Sequence, residues 1–75
     1  MAPRDEWFGH YERMKFEAKD YAQRAKFQRS LAMACRRKRD WLGALTADDR
    51  AREYRRTRDE RIAEAKKIKL QWGFR

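Results

Sequence analysis

Cys35, His10 and Ser30 each occur once in this chain, and they are its main candidates for covalent or metal chemistry. A nucleophile needs a base within hydrogen-bond reach, and none of the three has a second reactive group at a spacing that would make one. Glu6 and His10 stand four residues apart and share one helix face, but two ligands do not make a zinc site. A single cysteine excludes an intrachain disulfide framework, and there is no glycine-rich phosphate loop. The expectation is therefore a protein that is not an enzyme, without catalytic residues, metal or cofactor.

Cys35 also falls on an apolar repeat, where a cysteine serves as a small packing residue. Alternating steps of four and three from Trp7 reach Tyr11, Met14, Ala18, Tyr21, Ala25, Gln28, Ala32, Cys35, Arg39 and Leu42. Nine of these eleven positions are apolar or aromatic, which is the seam of a long amphipathic helix. The spacing predicts a first helix over about residues 4–42, with Pro3 in its opening turn, where a missing N–H costs nothing. Gly43 suits a helix stop. The bases Arg36, Arg37, Lys38 and Arg39 would then face the negative end of the helix dipole. Thr46, followed by Asp48 and Asp49, reads as the cap of a second helix.

That second helix is expected over about residues 47–70, on a weaker stripe of Ala51, Tyr54, Ile62, Ala65 and Trp72 interrupted by Arg58 and Lys69. Acid–base neighbours three or four apart, such as Asp48 with Arg52, Glu53 with Arg56 and Glu64 with Lys67, would support it by a few tenths of a kcal/mol each. Residues 71–75 read as an extended tail carrying Trp72 and Phe74. With a turn as short as residues 43–46, the two helices should lie antiparallel. The predicted fold is thus all-α: one small domain spanning residues 1–75, a helical hairpin with an aromatic tail. In such a hairpin Lys66, Lys67 and Lys69 would return towards Asp5 and Glu6.

Composition shapes the functional expectation. Of 75 residues, 44% are charged and 41% hydrophobic, so the core must be thin and the chain should need a partner rather than stand as a monomer. A net charge of +9 directs that partner towards acidic patches or polyanions. No stretch approaches the about 20 apolar residues of a membrane span, although lipid headgroups remain possible contacts. The acids Asp5, Glu6, Glu12, Glu17 and Asp20 argue against a cleavable targeting peptide. The position ten beyond Cys35 is Leu45, so the paired-cysteine pattern of the small helical-hairpin proteins of the mitochondrial intermembrane space is absent.

Together these features lead to a non-catalytic accessory subunit of a large assembly. The first expectation is a mitochondrial respiratory-chain or ATP-synthase complex built from larger protein subunits. The second is a small basic ribosomal or mitoribosomal protein on rRNA, and the third a free nucleic-acid-binding helical module. The expected partner-binding seam is Trp7, Tyr11, Met14, Tyr21, Ala25, Trp72 and Phe74. The expected contacts to polyanions or acidic patches are Arg36, Arg37, Lys38, Arg39, Arg55, Arg56, Lys66 and Lys67.

Overall fold

A computed structural model describes residues 3–74. Helix α1 runs Pro3–Arg37 and helix α2 runs Trp41–Trp72, with no strand among the described residues. Pro3 opens α1, Asp5 and Glu6 lie in its first turn, and Arg36 and Arg37 in its last. The helices fold back on each other as an antiparallel hairpin, a rod with Cα extents of 56 × 16 × 15 Å. Thirty-five residues in α1 span about 52 Å at 1.5 Å per residue, so one helix sets the length of the molecule.

From Tyr11 to Cys35 the helix-1 seam is used as its spacing predicts, whereas Trp7, Arg39 and Leu42 are exposed and the last two lie beyond the end of α1. Tyr11, Met14, Ala18, Ala25 and Ala32 are buried, and Tyr21, Gln28 and Cys35 between them are half-buried. The answering seam of α2 is Ala44, Ala47, Ala51, Tyr54, Arg58, Arg61, Ala65, Ile68 and Trp72, again in steps of three and four. Near the turn both sides are mostly alanine, with Ala32 and Ala51 fully enclosed. Side chains that small let the two backbones approach closely. At the open end the packing changes character: Tyr11, Met14, Ala65, Ile68 and Phe74 form one apolar cluster, with Trp72 against it. Each larger side chain buried there contributes roughly 1.5–3 kcal/mol. Among the described residues seven of the eleven buried hydrophobic side chains are alanines, so the core is as thin as the composition implies.

The turn lies earlier than the sequence suggests. Helix α1 stops at Arg37 rather than near residue 42, and the link is Lys38–Asp40 rather than residues 43–46. Arg39 takes the left-handed conformation, φ 60°. Its N–H donates to Arg36 O at 3.0 Å, and the Asp40 N–H donates to Cys35 O at 2.8 Å. These two bonds are the Schellman closure of a helix end, here with arginine where glycine is usual. Asp40 then caps α2, its Oδ1 accepting from the Gly43 N–H at 3.0 Å. Gly43 is therefore no stop but the third residue of α2. A Cβ there would come within 2.5 Å of Asp40 Oδ2 and 3.1 Å of Cys35 Sγ, so glycine leaves room for the cap and for α1. Thr46 is no cap either, since its hydroxyl donates to Leu42 O inside the helix.

The tail also differs from expectation. Helix α2 continues through residues 71 and 72 and ends at Gly73, φ 69°, whose N–H reaches Lys69 O. The Phe74 N–H closes on the same carbonyl at 3.1 Å. This stop turns Phe74 back onto α1, where its ring lies 5.2 Å from Phe8 and 5.5 Å from Tyr11. The aromatic end is a lock on the hairpin rather than an extended anchor.

Candidate partner surface

The expected partner-binding seam is largely occupied inside the chain. Tyr11, Met14, Ala25 and Phe74 are buried between the helices. Tyr21 is half-buried against Tyr54, ring centroids 6.0 Å apart, and half-buried Trp72 stacks on exposed Trp7 at 6.2 Å. The alanines of α2 are what close this seam, by allowing the second helix to lie against the first. Contacts with other molecules must then be made by other side chains. The sequence pattern misses Ala44, Ala47 and Ile68 as core residues and includes Ile62, which is exposed.

In mid-rod the α2 seam is polar. Arg58 and Arg61 stand at seam positions and are half-buried, since a long stem can lie along the interface while its charged head reaches the rim. Arg61 Nε donates to Glu17 Oε2 at 2.7 Å. That hydrogen bond holds the Arg61 guanidinium pKa above its ordinary value, with Glu17, Tyr21 and Glu64 adding electrostatic support against partial desolvation. One turn further towards the open end, His10 Nε2 lies 3.4 Å from Glu64 Oε1. His10 thus meets the opposite helix rather than Glu6. Cys35 sits beside Gly43, 25 residues and about 38 Å along α1 from His10, so the two form no nucleophile–base couple. Among the described residues no three His, Cys, Asp or Glu groups converge as a metal site.

The basic residues divide between the two ends of the rod. Arg36 pairs with Asp48 across the hairpin. Arg37, Lys38 and Arg39 are exposed at the turn. Half-buried Arg55, whose Nε donates to Ala51 O at 3.4 Å, and exposed Arg56 lie on the same turn-proximal half. Lys66 and Lys67 lie on the other half, and neither pairs with Asp5 or Glu6 among the described residues. The structure therefore joins six of the eight expected basic contacts and separates two.

The hairpin gathers an asymmetry of charge already present along the sequence into one half of the rod. Residues 21–58, which form the turn-proximal half, contain 12 bases and 4 acids, whereas the remaining residues contain 9 and 8. Eight of the net nine positive charges thus reside in one half of the chain. Lys26, Arg29, Arg37, Lys38, Arg39, Arg50, Arg55 and Arg56 make no ion pair among the described residues. Large apolar side chains are exposed between them: Phe27 at 65%, Trp41 at 61%, Leu42 at 76% and Leu45 at 65%. A shallow groove between the helices is lined by Leu31 and Cys35 on one wall and Leu42, Thr46 and Arg50 on the other. The arrangement can bind an anionic surface that also offers flat or apolar groups.

No helix among the described residues is long and apolar enough to cross a membrane. Comparison with protein-family models, with curated proteins and with solved structures gave no match.

Proposed function

We propose that this chain is a non-catalytic accessory subunit of a larger assembly, seated through the turn-proximal half of its hairpin. One observation carries the reading: after the helices have closed on their own seam, Trp41, Leu42, Leu45 and Phe27 remain exposed among eight bases that make no ion pair among the described residues. Large apolar side chains left exposed among unpaired charges, here on both sides of one end of the rod, offer surface for interaction. The thin core adds support, because a hairpin whose buried side chains are mostly alanine has little stability in reserve for standing alone.

Of the host classes expected from sequence, we rank a ribosomal or mitoribosomal particle ahead of a respiratory or ATP-synthase complex, on the charge distribution along the rod. The acids that argue against RNA are concentrated away from the turn, with only 4 of 12 in residues 21–58. The respiratory-type reading keeps one supporting observation, the nearly charge-balanced open end with exposed Trp7, Phe8, Phe16 and Leu70. A mitochondrial location belongs to the mitoribosomal and respiratory readings and not to a ribosomal one.

Gradient sedimentation of the tagged full chain from its host cells tests the reading. The chain should travel with a particle far larger than its own 9.2 kDa, and replacing Trp41, Leu42 and Leu45 together by Ser should return it to the top of the gradient. Sedimentation of the wild-type chain as a free small protein would overturn the proposal.

A further inference from the structure

We infer that the turn-proximal half of the rod is a docking surface for folded RNA, gripping phosphates with arginine and stacking unpaired bases on Trp41 and Phe27. This deepens the accessory-subunit reading and rests on it in taking that half as the seated end. Ten of the 12 bases in residues 21–58 are arginine, while lysine supplies five of the nine elsewhere. Arginine's planar fork matches phosphate oxygens bidentately and also stacks on base planes. The enrichment is local to the face where the charge is unpaired.

Geometry narrows the partner further. Cα extents of 16 × 15 Å across the rod exceed a B-DNA major groove about 12 Å wide, which admits a single helix. The two helices together therefore do not enter the groove, and the unpaired arginines are suited to riding on phosphate ridges. Folded RNA offers phosphate ridges together with unstacked bases in loops and bulges, which aromatic side chains capture. Trp41, at the first position of α2, and Phe27, on the outer side of α1, are exposed for that role. An anionic bilayer fits less well. Leu31 and Leu42 line a groove on one side of the hairpin, whereas the helical register of Met33, Trp41 and Leu45 places them on the other. A single plane does not meet them all.

The test uses the full chain, a fluorescent RNA stem-loop, a duplex RNA of equal length, and vesicles containing phosphatidylserine. About five phosphate contacts predict a slope near −4 in log affinity against log salt, or about 200-fold weaker binding between 50 and 200 mM. Changing Arg37, Lys38, Arg50 and Arg56 together to Gln should lower affinity at least 50-fold and reduce the slope by about 3. Changing Arg13, Lys19, Lys66 and Lys67 to Gln removes the same charge from the other half, and should cost less than threefold. Trp41→Ala should weaken the stem-loop at least fivefold without altering the slope and leave the duplex unaffected.

Equal losses in the two charge variants would overturn the inference, because net charge alone would then explain binding. So would binding to vesicles without binding to RNA, or no measurable RNA binding at 150 mM salt. If Trp41→Ala weakens stem-loop and duplex alike, the stacking role falls. A chain that sediments in a nuclease-resistant particle yet fails these assays refutes the RNA partner and retains the accessory-subunit reading. A chain that binds RNA but sediments alone retains the RNA partner and refutes the accessory-subunit reading.

Discussion

Arg39→Gly should stabilise the hairpin. Arg39 holds φ 60° at the end of α1, a conformation that costs an L-residue about 1–2 kcal/mol because Cβ crowds the following carbonyl. Glycine removes that crowding but loses about 0.5–1 kcal/mol through the greater freedom of its unfolded chain. The bonds that close the turn, Arg39 N–H to Arg36 O and Asp40 N–H to Cys35 O, are backbone bonds and survive the change. The net gain is about 0.5–1 kcal/mol, which multiplies the ratio of closed to open chain by about two to five. For a thin core this should be visible as increased helicity and a higher midpoint in circular dichroism, read at several protein concentrations to separate folding from association. Lys38→Gly is the control, since Lys38 does not have a positive φ and glycine there should lower the midpoint. If Arg39→Gly is destabilising, or if both variants behave alike, the left-handed turn at Arg39 is wrong.

Three further outcomes follow from the same geometry. Asp40→Ala should cost about 1 kcal/mol by removing the cap of α2, whereas Thr46→Ala, inside the helix, should be neutral to slightly stabilising; equal losses in denaturant midpoint would return the cap to Thr46. Ala51→Leu, at a fully enclosed position, should cost about 1–3 kcal/mol by forcing the helices apart, and a neutral result would contradict the alanine-mediated close approach. Because Glu17 raises the pKa of Arg61, this pair's contribution is fully present below arginine's ordinary pKa and is lost only as pH climbs through the higher folded value. The difference in midpoint between wild type and Arg61→Gln should therefore be the same at pH 7 and pH 10, and a difference that vanishes by pH 10 would contradict the pairing.

Much of α1 is legible in the sequence because its small and aromatic residues recur in a strict three-and-four spacing that only a helix places on one face. The same spacing exists in α2, but Arg58 and Arg61 occupy two of its inner positions. A count of apolar residues therefore shifts the stripe towards Ile62 and passes over Ile68. The turn misleads for a different reason. Gly43, Thr46 and the following acids resemble a stop and a start, whereas the observed stop uses a non-glycine residue in the left-handed region and Asp40 as cap. Backbone closure outweighs local preference there, aided by the space that Gly43 leaves beside Asp40 and Cys35. At the C-terminus, Gly73 reads from sequence as part of a loose tail, and its capacity to reverse the chain and bury Phe74 depends on α1 being alongside. Individual basic clusters are visible in sequence. Their segregation is visible too, as 12 bases against 4 acids in the contiguous residues 21–58; the fold adds that this stretch forms one end of the rod.

Site-specific photo-crosslinking inside the native particle distinguishes the open end, which locks the fold, from the turn-proximal half, proposed to meet RNA. Leu45, 65% exposed on the turn-proximal half, and Leu70, 85% exposed near the open end, would each carry the photoreactive side chain in separate full-length variants. Position 45 should give nuclease-sensitive RNA adducts and position 70 none. RNA adducts from position 70 alone, or exclusively nuclease-resistant protein adducts from position 45, would contradict that division of roles.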